Sequence, residues 1–225
     1  MAVTSSIAPA PRSSPRGRRQ DRRARRFARF WASVDASVDE AIRPAKASLF
    51  RDLPRRIVEI GPGLGANLAY LDAGTEVMAF EPNVHFHPGL AAKADEYGID
   101  LDLRASELSA AAVGPGSADV VVSTLVLCSV PDPAATIDEI WRSLRPGGRL
   151  LFVEHVVGPR HSLRRAYQRA VRRPWMAIGD GCDSCADTAR HLQQSDFVIE
   201  DAHLEPFGSR LDPTNLTYWG TAVRH

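Results

Sequence analysis

Lysine is almost absent from this chain: Lys46 and Lys93 stand against 26 arginines in 225 residues. A bias of that size points to a GC-rich coding sequence, and so to a bacterial source. Cysteine is scarce as well. Cys128, Cys182 and Cys185 are too few and too unevenly placed for a secreted disulfide framework, which favours a reducing, cytoplasmic compartment. No apolar run reaches 18 residues, so a membrane-spanning helix is excluded on length. No internal repeat is visible. What remains is the ordinary composition of a soluble globular protein, long enough to bury about 70% of its unfolded surface.

Acidic residues are nearly missing from the first 30 positions, which hold nine arginines and only Asp21. That segment carries +8 against a whole-chain charge of +1, so the rest of the chain carries −7. Its first 20 residues are rich in Ser, Pro, Ala and Arg with no aromatic, which predicts a disordered basic tail over 1–29 ahead of a domain over 30–225. Arg18-Arg19 is not followed by an apolar stretch, so an export signal is not supported. The tail suits weak contact with an anionic surface, while the acidic body makes nucleic acid a poor substrate.

The most informative stretch present is Ile57-Val-Glu-Ile-Gly-Pro-Gly-Leu-Gly-Ala-Asn67, followed by Val77-Met-Ala-Phe-Glu-Pro-Asn83. An apolar strand meets an acid, then glycines at alternate positions, and a second strand ends in another acid 22 residues on. Side-chain-free positions of this kind let backbone approach a nucleoside-containing cofactor. Gly61, Gly63 and Ala66 fit the dinucleotide fingerprint, with Glu81 placed for a ribose. The same residues, taken as Glu59-x-Gly61-x-Gly63-x-Gly65, resemble motif I of the class I S-adenosylmethionine (SAM) methyltransferases.

Further along, apolar spacing from Phe30 to Leu49 predicts a leading helix or helix pair, interrupted near Pro44. Strands are expected over 56–60, 76–81, 100–104, 119–123 and 149–155, with helices near 65–72, 88–97 and 133–144. Such alternation predicts a parallel sheet covered on both faces. Beyond His155, a basic helix over 162–173 ends before Pro174, a short helix covers 188–194, and strands cover 197–204 and 216–223.

Two further segments decide between the cofactors. Asp119–Asp132 and Leu144-Arg-Pro-Gly-Gly–His155 resemble the fourth strand and the turn into the fifth strand of class I methyltransferases. A short-chain dehydrogenase would need Tyr-x-x-x-Lys, and no tyrosine here has a lysine four places on. The resemblance implies an α/β, Rossmann-like methyltransferase fold: a mostly parallel seven-stranded sheet, helices on both faces, and an antiparallel last strand. It implies SAM as cofactor, with Glu59, Gly61, Pro62, Gly63, Gly65 and Asn67 around the methionine portion. Glu81 would take the ribose hydroxyls, Pro82 and Asn83 would flank the adenine, and Ser106 and Glu107 would meet its edge. Thr124 and Leu125 would close over the methionine.

The match narrows through Ser123-Thr-Leu-Val-Leu-Cys-Ser-Val130, Glu154-His-Val156 and Asp180-Gly-Cys182, which resemble the methyltransferase-like alkyl-thiol S-methyltransferases. Departures are the arginine-rich start, where those animal proteins carry an apolar anchor, and the Asp-Ser-Cys-Ala-Asp-Thr segment after Cys182. The resemblance implies transfer to a small-molecule acceptor, first of all a thiol. A thiol is partly ionised near neutrality and needs only a modest base. His155, at the ligand side of the sheet, is the first candidate for that base, and Asp180 the second. No metal is expected: Cys182-x-x-Cys185 has only His191 nearby in sequence, too few ligands for structural zinc. Carbon or nitrogen methylation of a quinone-like or amine metabolite is the alternative, followed by a non-catalytic SAM-binding protein that docks through its tail.

Overall fold

The computed structural model describes residues 15–225, and side chains from Gly17 onward. Its centre is made by short apolar strands that bury both faces. β1 (Arg56–Ile60) is buried from its second residue, and β4 (Ala118–Thr124) is buried throughout Val120–Ser123. Alternate side chains serve opposite layers. Ile57, Val77, Val120, Val122 and Leu151 pack with Phe50, Leu68 and Leu90, while Val58, Ile60, Val121, Leu150 and Phe152 pack with Ile137, Ile140 and Leu192.

The other strands are β2 (Glu76–Phe80), β3 (Asp100–Arg104), β5 (Leu144–His155), β6 (Val198–Pro206) and β7 (Leu216–Val223). They form one sheet in the order β3-β2-β1-β4-β5-β7-β6. The pairs from β3 to β5 are parallel, and β7 runs antiparallel between β5 and β6. The chain winds outward from β1 to β3, then returns to the other side of β1. The switch point therefore lies between β1 and β4, where open α/β sheets bind their ligands.

The helices are α1 (Pro15–Leu49), α2 (His87–Tyr97), α3 (Ala110–Val113), α4 (Pro133–Ser143), α5 (Leu163–Ile178) and α6 (Thr188–Gln193). Their ends follow local chemistry. Asp132 caps α4 by accepting from the Ala135 amide at 3.0 Å, with Pro133 at the first turn, and Gly98 closes α2 at φ +67°.

Several expectations need correcting. Of the basic tail assigned to 1–29, residues 1–14 lie outside the described residues, but 15–29 are helical and continuous with α1. The reason is an apolar stripe that begins before Phe30: Ala28 is buried, and Phe27 lies edge-on to Phe86. Pro44 does not interrupt α1, because Ile42 and Ala45 on either side are held against Val153 of β5 and Trp219 of β7. Likewise α5 continues past Pro174 to Ile178. The expected helix at 65–72 is a run of tight turns with one 3-10 turn, Leu68–Tyr70. Gly61 and Gly63 before it and Gly65 at its start have positive φ, and the amides of Gly65, Leu68 and Tyr70 reach back three residues rather than four.

Candidate active site

The carboxyl ends of β1, β4 and β5 open into a cavity of about 820 Å³ that α1 covers with Phe27, Phe30, Trp31, Val34 and Val38. Glu59, from β1, is 1% exposed. Its Oε1 accepts from Asn67 Nδ2 at 2.8 Å, and the same Nδ2 lies 3.1 Å from Thr124 Oγ1. Glu59 Oε2 and Asn67 Oδ1, both buried, have no partner. Burial pushes the Glu59 carboxyl up to about 7, against the bond from Asn67 and the field of buried Lys46. Two orphaned acceptors on residues that line the cavity suit a cationic donor such as the ammonium of an amino acid.

Glu81 follows β2 directly. Its Oε2 accepts from the Gly63 amide at 3.0 Å and its Oε1 from the Asn83 amide at 2.8 Å. Burial raises its pKa, those two backbone donors oppose the rise, and further lone pairs stay open to hydroxyl donors. The glycine loop lies against this carboxylate. A Cβ at Gly61 would stand 2.6 Å from Val126 Cγ2, and φ there is +54°, so only glycine fits.

Most of the residues singled out in the sequence meet here. Glu59, Gly61, Pro62, Gly63, Asn67, Glu81, Pro82, Asn83, Glu107, Thr124, Leu125, His155 and Asp180 all line the cavity. Gly65 and Ser106 do not. Gly65 is a packing glycine, whose added Cβ would sit 2.8 Å from Leu90 Cδ1 and 3.0 Å from Leu68 Cδ1. Ser106 is exposed beside the cavity rim, to which its neighbours Glu107, also exposed, and Leu108 contribute instead. Asp180 is taken up by Arg23 of α1, whose Nε lies 2.7 Å from its carboxylate.

His155 ends β5 and is 2% exposed. Its Nε2 lies 3.7 Å from Cys182 Sγ and 3.2 Å from the Asp183 carbonyl. Cys182 Sγ also receives the Trp175 indole N–H at 3.3 Å and the Cys128 thiol at 3.9 Å. Burial works against charge on His155, but Cys182 and the Asp183 carbonyl outweigh it and hold the imidazolium to about 9. The Cys128 hydrogen bond, His155 and Trp175 push the Cys182 thiol well down against burial, while burial and its charged neighbour push Cys128 well up. Cys185 takes no part: its amide bonds Asp183 Oδ1, and Asp183 pairs with Arg172.

Two contributors escaped the sequence. Glu154, fully buried, accepts from Ser123 Oγ at 2.6 Å and from the Val126 and Leu127 amides at 3.1 Å each. It thereby fixes the loop that carries Leu125 at φ +58° and Cys128 behind it. The first half of α1 is the other. Its signal was Phe27, an aromatic about one turn before Phe30 and Trp31, set among the arginines of 16–29.

Comparison with known proteins agrees with this geometry. A methyltransferase-domain family model matches residues 25–194. The human thiol S-methyltransferase TMT1B is 34% identical over 171 residues, covering 75% of this chain and 70% of the relative. A demethylmenaquinone methyltransferase from Paenarthrobacter aurescens is 27% identical over 168 residues, 73% of this chain and 64% of the relative. Among solved structures, the 1,6-didemethyltoxoflavin-N1-methyltransferase of Burkholderia thailandensis covers 96% of this chain and 93% of its own, at TM-score 0.60 and 22% identity. The sheet order, the glycine loop between two buried acids and these relatives together place the chain in the class I SAM-dependent methyltransferase family, alongside the thiol S-methyltransferases.

Proposed function

We propose that this methyltransferase transfers its methyl group to the sulfur of a small thiol. The carrying observation is the cavity wall made by Cys182, His155, Cys128 and Trp175, a place built to hold negative charge on sulfur. The thiol S-methyltransferase relatives support it.

The chain's own residues divide the work as follows. Glu59 Oε2 and Asn67 Oδ1 take the ammonium of SAM, and Glu81 takes the ribose hydroxyls beside the loop of Gly61, Pro62 and Gly63. Pro82, Asn83 and Glu107 border the adenine, while Thr124 and Leu125 border the methionine chain. SAM supplies an activated methyl carbon, so the protein's main contribution is alignment, worth about 7–11 kcal/mol of barrier. The incoming thiol must also lose a proton. His155, its pKa raised to about 9, already carries one at neutral pH, so Cys182 is the acceptor, its thiol pushed down by the Cys128 hydrogen bond and by the His155 cation. Asp180, tied to Arg23, helps fasten α1 over the cavity instead of acting as a base.

The three free cysteines fit work in a reducing, cytoplasmic compartment, and the arginine bias fits a bacterial source. Arg22, Arg25, Arg26 and Arg29, exposed on α1, offer a face for weak contact with an anionic surface. The test of the activity is SAM turnover against thiols of graded size, with amines, phenols and quinols in parallel. Thioether formation that exceeds every other product is expected. Methylation confined to carbon or nitrogen, or SAM binding without product, would overturn the reading.

A further inference from the structure

Sequence spacing pairs Cys182 with Cys185, but the fold pairs it with Cys128. The two sulfurs lie 3.9 Å apart across the cavity wall, on segments joined by the Asp183 amide bonding the Cys128 carbonyl at 2.9 Å. Closing to a bond of about 2.05 Å needs only a modest approach of the two side chains. The segment that carries Cys182 has Asp180 at φ +50° and Gly181 at φ +103°, a backbone turn rather than a helix or strand that would resist the shift. Cys182 Sγ faces three donors and lines the open cavity, so a small oxidant reaches it by the route an acceptor would use.

We propose that Cys182 and Cys128 are the reacting and resolving halves of a reversible, hydroperoxide-sensitive thiol pair within the active-site wall. The chemistry is balanced by residues present. The Cys182 thiolate attacks the peroxide; an S–O bond forms, the O–O bond breaks, and the leaving oxygen takes the His155 proton to depart as water or an alcohol. Sulfur is thereby oxidised to sulfenic acid and the peroxide reduced. The Cys128 sulfur then attacks the sulfenyl sulfur: the S–S bond forms, the S–O bond breaks, and the oxygen leaves as water with the Cys128 proton. A dithiol reverses the step by exchange. The disulfide removes the thiolate from the wall and ties the loop after β4 to the segment after α5. The inference concerns the thiols themselves, so it stands or falls independently of which acceptor is methylated.

The experiment treats the reduced full chain with one equivalent of hydrogen peroxide, blocks remaining thiols, and maps peptides by mass spectrometry. A Cys128–Cys182 linked peptide that dithiothreitol dissolves is expected, equally in the Cys185→Ser variant. In Cys128→Ser, dimedone should label Cys182, with circular dichroism confirming that the variant folds. A Cys182–Cys185 link, stepwise oxidation of Cys182 without any link to Cys128, or a Cys182 left intact while Cys185 reacts would each overturn the proposal. The wild-type and Cys185→Ser maps decide it even if Cys128→Ser fails to fold.

Discussion

Glu59 is a carboxyl whose charge waits for a partner. Its pKa stands near 7 because burial disfavours the anion, and a cation placed against its free oxygen would reverse that preference. Linkage then sets the sign. Below about pH 7, SAM binding must expel the Glu59 proton, so affinity should rise with pH and level off above it. Isothermal titration between pH 5.5 and 8 checks this, and Glu59→Gln should flatten the profile. In the cofactor-free protein the same raised pKa lowers stability as pH climbs from the ordinary carboxylate range through 7. Glu81→Ala removes an acceptor used by two amides and the proposed hydroxyl donors. Charged hydrogen bonds are worth about 1.5–3 kcal/mol, so SAM affinity should fall roughly 10- to 100-fold. An unchanged dissociation constant would remove Glu81 from the ribose.

His155 yields to a pH profile. The groups facing it are Cys182, Glu154, the Asp183 carbonyl and, through Cys182, Cys128 and Trp175. With the imidazolium held to about 9, the positive charge beside Cys182 persists from pH 7 toward 9 and turnover should change little. In His155→Gln the Cys182 thiol loses its cation, so activity should be depressed at pH 7 and recover toward pH 9. A flat variant profile at wild-type rate would show that the pair does not manage the proton.

At the scale of elements, α1 is what turns a cleft into a cavity. Its Arg23–Asp180 ion pair is exposed enough to be worth about 0–1 kcal/mol, so Arg23→Ala should alter KM by only a few-fold. Phe27 matters more. Its ring meets Phe86 at 5.9 Å and Trp31 at 5.8 Å, pairs worth about 0.5–1.5 kcal/mol each beyond area burial. Phe27→Ala should raise KM for SAM or acceptor roughly tenfold and lower the melting temperature by a few degrees, as steady-state kinetics and calorimetry can show. The sequence showed this helix from Phe30 onward but concealed its earlier turns, because arginine is the commonest residue over 1–29, whereas helix placement depends on the few apolar positions between. It concealed the tight turns at 65–72 for a related reason: apolar periodicity registers Leu68, but not the positive φ of Gly65 or the three-residue hydrogen bonds that hold the chain in shorter turns.

At the scale of the molecule, the central strands β1, β2 and β4 were legible because each is short, largely apolar and bounded by turn residues. The cluster of Glu59, the glycine loop and Glu81 at the cavity was legible for a local reason, since these residues lie within 23 positions of one another. The opposite wall was legible only as separate residues, His155 as a candidate base and Cys128 and Cys182 as members of motifs, not as a cluster. Cys128, His155 and Cys182 come from three separated segments, and only the sheet brings their atoms within 4.8 Å. The closing strands carry a stability test. Gly220 in β7 faces Asp201 and Ala202 of β6, and an added Cβ would fall 1.9 Å from the Asp201 carbonyl. Gly220→Ala should therefore cost more than the usual ~1 kcal/mol of a point mutation, on the order of 3 kcal/mol, read as a lowered denaturation midpoint.

The most direct test of the central claim is one competition. The reduced protein receives SAM labelled on its methyl group and an equimolar mixture of a small thiol, an amine, a phenol and a quinol, and the products are weighed. The account predicts label on sulfur, in a thioether matched by an equal amount of S-adenosylhomocysteine, and loss of that product in Cys182→Ser while SAM still binds. Label on carbon or nitrogen with the thiol untouched would contradict it.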